Sequence, residues 1–179
     1  NVALFAMQFL LPAWLAFGVA NTGSVLMMVL MTESLRREIS DTKAQWEWMA
    51  LFVCVWFIIY LLLVQEGYRG TWGILFMGIT MAVMQVRIIF LLLKVKTHYK
   101  SRSCLILILA FVLALFINIV RGVSGLFQNM FIDLLEFTAV SNFFFISILI
   151  SSILVNFGYW GFVLEKVQIA KNKEAEKAR

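Results

Sequence analysis

The stretch SCLILILAFVLALFINIVR, residues 103–121, carries no charged side chain before its final arginine. A run of this length crosses the roughly 30 Å hydrocarbon core of a bilayer as one α-helix, which rises about 1.5 Å per residue. The whole chain is 63% hydrophobic and only 14% charged, which is far more apolar than a soluble domain. Its apolar runs are continuous, whereas a membrane β-barrel alternates in segments of about ten residues. We therefore predict an all-α membrane protein.

The apolar runs divide the chain into a bundle of about five transmembrane helices. We predict spans at about 13–33, 46–65, 72–93, 103–121 and 138–163, and Pro12 is well suited to starting the first of them. Helically spaced apolar residues between spans four and five predict a short amphipathic helix on the outer surface, at 123–137. A simple extension of span four is the alternative for that segment.

Basic residues predict the orientation of the bundle. Most of the 15 Lys and Arg residues fall into three clusters on one side of the predicted spans, namely Arg36, Arg37 and Lys43, then Lys94, Lys96, Lys100 and Arg102, then Lys166, Lys171, Lys173, Lys177 and Arg179. The positive-inside rule puts these clusters in the cytoplasm, with the N-terminus outside and the C-terminus inside. We expect contacts with anionic inner-leaflet lipids and no binding of nucleic acid.

Few charged residues lie inside the predicted spans. Arg87 is the one well inside, and an intramembrane charge is a functional-site hypothesis by default. It precedes Lys94 by seven residues, about 10 Å along a helix. Its side chain could therefore snorkel to the inner headgroups. We favour snorkelling or a structural pair over a ligand-binding role.

Polar residues suggest two further candidate sites. The first is a small-ligand or interhelical cluster near the outer face, formed by Asn118, Arg121, Asp133, Glu136 and Asn142. The second is a packing or oligomer face on the fifth span, formed by Ser147, Ser151 and Asn156. Such polar groups more often hold helices together than bind ligands, so we favour interhelical hydrogen bonding for both.

Catalytic patterns are missing from the sequence. It contains no HExxH motif, no glycine-rich phosphate loop and no pair of carboxylates within a span. Cys54 and Cys104 lie within predicted spans without metal or redox spacing, which indicates ordinary packing residues. We therefore expect a non-catalytic chain with no cofactor and no metal.

After the fifth span the chain becomes charged but keeps a helix-forming composition, so we predict a cytoplasmic helical extension at 164–179. One stripe of this extension has the spacing of a weak heptad seam: Leu164, Val167, Lys171, Ala175 and Ala178. A solvated extension that anchors the span through its lysines is the alternative.

The segment SILVNFGYWGFVLEKVQIAKNKEAEKAR, residues 152–179, together with the short basic loops, resembles the membrane sensor region of bacterial multi-pass sensor histidine kinases and membrane diguanylate cyclases. The resemblance implies a non-catalytic sensor in a bacterial inner (plasma) membrane, whose last span drives a cytoplasmic output domain. It also implies a homodimer or a membrane-protein partner. The sequence departs from those receptors because it has no phosphoacceptor region, nucleotide site or cyclase motif.

Two other functions fit the same residues. The chain could be an integral subunit of a larger membrane complex, such as a transporter or secretion assembly, with its tail docking a partner. An oligomeric pore is the third possibility, since it needs a polar lumen that only several copies could build.

Overall fold

The computed structural model describes residues 18–40, 43–65, 71–126 and 139–177. Within these ranges every regular element is helical and no strand occurs. The helices are α1 (Ala20–Ile39), α2 (Trp46–Gln65), α3 (Thr71–Tyr99), α4 (Ser103–Leu126) and α5 (Ala139–Lys177).

Four of these helices are long and apolar enough to cross a membrane. The qualifying segments are Trp46–Leu63, Leu75–Tyr99, Ser103–Val120 and Ile146–Lys177. The described part of α1 does not qualify, and residues 13–17 of the first predicted span lie outside the described residues. The prediction of an all-helical membrane protein is confirmed to this extent.

The helix ends differ from several predicted span ends. Helix α1 continues past residue 33 to Ile39, and α3 continues past residue 93 to Tyr99. Residues 123–126, assigned in the prediction to an outer interfacial helix, continue α4 without a break. Residues 127–137 lie outside the described part of the chain.

A tight turn of three residues joins α3 to α4. Lys100 has φ 51°, the left-handed conformation that commonly ends a helix. Ser101 Oγ then accepts a hydrogen bond from the backbone N–H of Cys104 at 3.2 Å, which satisfies one of the free donors in the first turn of α4. Because the turn is so short, α3 and α4 pack as antiparallel neighbours.

The buried residues form two clusters. The larger joins four helices and contains Leu35 of α1, Ile88, Leu92 and Val95 of α3, Cys104, Leu107 and Phe111 of α4, and Phe162 of α5. The smaller joins α1, α2 and α3 through Val25, Val29, Trp56, Tyr60 and Met84. Helices α3 and α4 therefore form the centre of the bundle, and α2 lies at its edge with most of its surface exposed.

Helix α5 packs closely along α4. Ser151 Oγ donates a hydrogen bond to the Ala110 carbonyl at 3.0 Å. A Cβ atom added to Gly158 would lie only 2.8 Å from Leu107 Cγ, so the glycine is what allows the two helices to approach so closely.

Candidate functional site at the exit end of α5

We call the end of the bundle where α5 leaves its neighbours the exit end, and define it by Glu38, Tyr99, Ser103, Glu165 and Lys166. These residues come from four helices: α1, α3, α4 and two positions of α5. Each helix either finishes or begins here, except α5, which continues to Lys177. The exit end is thus the place where α5 changes from a packed helix to an exposed one.

An ion pair at the exit end connects α5 to α1. Lys166 Nζ lies 2.8 Å from Glu38 Oε1 and 2.6 Å from Glu38 Oε2. The Tyr99 hydroxyl donates to Glu38 Oε2 at 3.2 Å. Glu38 therefore joins α1 to both α3 and α5. The lysine side chain is 45% exposed, so water or headgroups can compete for it.

The neighbouring residue of α5 caps the start of α4. Glu165 Oε1 accepts hydrogen bonds from the backbone N–H of Ser103 at 3.2 Å and from its hydroxyl at 2.9 Å. A carboxylate at a helix N-terminus satisfies a free donor and interacts favourably with the helix dipole. The cap and the ion pair are adjacent in sequence, so α5 is held at two points on successive residues.

A groove of about 420 Å³ separates α1 from α5 at this end. Met31 and Leu35 form its α1 wall, Phe162 and Val163 form its α5 wall, and Leu107 of α4 lines it as well. Glu38 and Lys166 also line the groove, so the ion pair bridges it.

A second set of ionic contacts holds the chain between α1 and α2. The Arg36 guanidinium contacts both carboxylate oxygens of Glu33 at 2.8 Å and donates to the Lys43 carbonyl at 2.8 Å. The hydrogen bond to Glu33 raises the pKa of Arg36 above its usual value. Arg37 lies 5.8 Å from the centroid of the Trp46 ring, a cation–π contact. These contacts fix the position of α2 beside α1.

Arg87 points away from the bundle. It lies on the exposed face of α3, and none of the ion pairs among the described residues includes it. Its neighbour Gln85 is 1% exposed and faces inward. The position of Arg87 is compatible with the snorkelling that we favoured from the sequence.

The predicted outer polar cluster is described only in part. Asn118 donates hydrogen bonds to Gln85 Oε1 at 3.2 Å and to the Ala114 carbonyl at 2.9 Å. It therefore links α4 to α3. Arg121 and Asn142 lie within α4 and α5, but their side chains are outside the described part, as are Asp133 and Glu136 altogether.

The predicted packing face of α5 divides between two sides of the helix. Ser147 and Ser151 are buried on the side that faces α4. Asn156 lies on an exposed side, where its amide donates to the Ser152 carbonyl of its own helix at 2.8 Å. The two serines therefore pack inside the bundle, whereas the Asn156 side chain is exposed.

The predicted stripe of the extension lies on the exposed part of α5. Leu164, Val167, Lys171 and Ala175 are all exposed, and Ala178 lies outside the described residues. Residues 164–177 continue α5 without interruption.

Sequence reasoning missed the residues that hold the exit end together. Glu38, Tyr99, Ser103, Glu165 and Lys166 were not selected, although Lys166 was counted in a basic cluster. One signal was present. Glu165 follows an apolar span directly, so its carboxylate lies near the depth at which neighbouring helices begin or end.

Comparisons with known proteins do not place the chain in a family. No family model, no curated protein and no solved structure matches it. Within the described residues no group of three His, Cys, Asp or Glu side chains is placed to hold a metal ion. The function must therefore be argued from the geometry of the bundle.

Proposed function

We propose that this chain is the membrane sensor and transducer region of a bacterial signalling receptor, in which α5 passes a change in the bundle to a cytoplasmic output domain. The observation that supports this most is the length of α5. Its 39 residues extend about 58 Å, nearly twice the roughly 30 Å hydrocarbon core. A helix that spans a bilayer and continues this far is suited to carrying a mechanical signal.

In this proposal the exit end faces the cytoplasm. The described members of the three basic clusters lie near this end of the helices or on the extension, and basic residues are enriched on the cytoplasmic side. The segment 164–177 then projects into the cytoplasm, and the opposite end of the bundle faces the stimulus.

The proposed movement is a shift of α5 between two positions across the groove. A receptor needs two bundle states that differ by a few kcal/mol and a stimulus that prefers one of them. An exposed ion pair such as Glu38–Lys166 contributes about 0.2–1 kcal/mol, and a helix cap such as Glu165 contributes about 1 kcal/mol. Contacts of this size can hold one state without locking it.

Insertions in α5 test whether the signal travels along the helix. A cyclase or kinase output domain of known geometry is joined after Arg179, and zero to four alanines are inserted between residues 168 and 169. Transmission through a continuous helix predicts output activity that rises and falls with a period of about 3.6 residues. Activity that is indifferent to the number of inserted residues contradicts the proposal. The same insertions in a chain with a Gly-rich linker after Arg179 provide the control, and their periodicity should disappear.

An integral subunit of a larger membrane complex is the second candidate. Leu164 is 66% exposed and Val167 is 48% exposed, so the extension offers apolar surface to a cytoplasmic partner. This function predicts that truncation before Leu164 releases the chain from its assembly. It also predicts that the number of alanines inserted after residue 168 has no effect on the activity of the joined output domain.

A further inference from the structure

The side of α5 that faces away from the bundle forms a continuous apolar seam with one amide in its middle. We call it the outer seam and define it by Leu149, Ile153, Asn156, Trp160 and Val167. The four apolar members are 51%, 46%, 63% and 48% exposed, in that order. With Asn156 included, successive members of the seam are four, three, four and seven residues apart, which are the spacings of a heptad repeat. The seam lies opposite the face that packs on α4.

Two other asparagine side chains in the bundle form hydrogen bonds between helices. Asn21 Nδ2 of α1 donates to the Tyr60 hydroxyl of α2 at 2.6 Å. Asn118 of α4 donates to Gln85 of α3 at 3.2 Å. Each of these side chains therefore forms a hydrogen bond with a helix other than its own. Asn156 differs, because among the described residues its one hydrogen bond goes to a carbonyl of its own helix.

Lipid offers Asn156 no hydrogen-bonding partner, so an exposed amide in a span is unfavourable unless another helix meets it. Among the described residues, Arg87 is a polar group on another outward face, that of α3, but its long side chain can snorkel to the headgroups, whereas the short Asn156 side chain cannot. The exposed large residues of α4, for example Leu109 and Phe116, are apolar, as a purely lipid-facing surface requires. The amide therefore marks the outer seam as a surface that meets protein.

We infer that a second copy of this chain packs against the outer seam, with the two Asn156 side chains hydrogen-bonded to each other across a two-fold axis. An asparagine amide both donates and accepts, so it is complementary to an identical amide. A two-fold contact brings the same residue of both copies together at its centre. Two copies with the same membrane topology meet with α5 parallel, and the heptad spacing continues from the span to Val167 beyond it.

This dimer rests on the proposed function only in that α5 crosses the membrane, and it deepens that function by naming the partner. Two copies joined along the outer seam would leave the membrane side by side. A shift of α5 across the groove in each copy would then change the separation or the rotation of a pair of extensions.

Disulfide crosslinking in native membranes tests the seam on the full chain. Cys54 is exposed and is replaced by alanine, whereas Cys104 is buried and can stay. Single cysteines are placed at Ile153 and Trp160 in the seam, with copper phenanthroline as the oxidant. The controls are cysteines at Ile148 and Ile150, which are 46% and 45% exposed but lie about a quarter turn or more from the middle of the seam at roughly 100° per residue.

We expect disulfide-linked dimers at the two seam positions and few at the two control positions. Replacing Asn156 by leucine should raise the dimer dissociation constant about three- to twentyfold, the range measured for interhelical hydrogen bonds in membranes. Asn156→Gln, which keeps an amide, should recover much of the affinity. Ser152→Ala is the matched control, since it removes a polar side chain beside the seam, and it should leave the dissociation constant unchanged.

Equal crosslinking at all four positions, no crosslinking at any position, or an unchanged dissociation constant for Asn156→Leu would overturn the dimer. The outcome is separable from the proposed function. Seam crosslinks without helical periodicity in the insertion series would contradict the signalling function alone. Periodic output without seam crosslinks would contradict the outer seam alone.

Discussion

Replacing Gly158 by alanine should push α4 and α5 apart. The added Cβ would lie 2.8 Å from Leu107 Cγ and 3.0 Å from Leu107 Cδ2. Carbon atoms in ordinary contact are about 3.5–4.0 Å apart, so the helices must separate by about 1 Å. Leu107 is 1% exposed and belongs to the larger core cluster, so its side chain has little room to turn aside.

Two contributions lower the free energy of unfolding of Gly158→Ala, and one raises it. Overpacking a core contact costs about 1–3 kcal/mol. Separation by about 1 Å would also break the Ser151–Ala110 hydrogen bond, now 3.0 Å long, at about 0.6 kcal/mol. Alanine in place of glycine regains up to about 1 kcal/mol of helix propensity. With the full gain in propensity, the net expectation for Gly158→Ala is a loss of about 0.6–2.6 kcal/mol in the free energy of unfolding.

The assay is an SDS unfolding titration of the purified chain in mixed micelles, with Leu107→Ala and the double variant measured in parallel. Leu107→Ala should cost about 2–5 kcal/mol alone. In its background the clash is gone, so Gly158→Ala should become neutral or stabilising. Such a reversal is a coupling energy that only residues in contact produce.

A Gly158→Ala variant at least as stable as the wild type would refute the close packing of α4 on α5. Independent effects in the double variant would refute it as well. Because Leu107 also lines the groove between α1 and α5, that result would also call into question the packing that bounds the groove.

Two further predictions concern hydrogen bonds between helices. Glu165→Ala should lower the free energy of unfolding by about 1–2 kcal/mol in the same titration, because Ser103 loses its cap and α4 loses a favourable charge; the exposed Glu174→Ala should stay within about 0.5 kcal/mol of the wild type, and equal effects of the two would contradict the cap. Asn118→Leu should cost about 1–3 kcal/mol because it leaves the buried Gln85 amide without that partner, and adding Gln85→Leu should restore most of the loss, whereas an additive loss would argue against the pair.

The helical membrane fold could be predicted because it depends on single-chain properties. Apolar runs such as 103–121 are long enough to span a bilayer whatever surrounds them, and Trp46–Gln65 coincides with the predicted second span. Helix ends were harder to place. Tyr99 and Ile39 extend their helices beyond the apolar runs because hydrogen bonds and ion pairs at the exit end hold those last turns.

The contacts of the exit end could not be predicted because they join residues far apart in sequence. Lys166 and Glu38 are 128 residues apart, and no spacing rule relates them. The same limit applies to Ser151 and Asn156. Both are polar residues of the last span, and only the position of α4 shows that one is buried against a neighbour while the other faces outward.

The most direct test of the central claim is a distance measurement across the groove. Lys43 lies between α1 and α2, and its carbonyl accepts a hydrogen bond from Arg36 of α1. Spin labels at Lys43→Cys and Gln168→Cys, with Cys54 replaced by alanine, therefore report the position of the α5 extension relative to the end of α1 by pulsed electron paramagnetic resonance in lipid nanodiscs. Labels at Ile150→Cys and Gln168→Cys, both on α5, give the internal control. Their separation of about 27 Å should not change.

We predict two distances between the labels at residues 43 and 168, with the wild type favouring the one that the Glu38–Lys166 ion pair stabilises. Lys166→Met should shift the ratio of the two populations by about 1.5- to 5-fold, since an exposed ion pair is worth about 0.2–1 kcal/mol. Lys171→Met, which removes an exposed lysine outside the ion pairs of the described residues, should leave the ratio unchanged. A single distance that is the same in all three proteins would contradict the claim that α5 moves against the bundle.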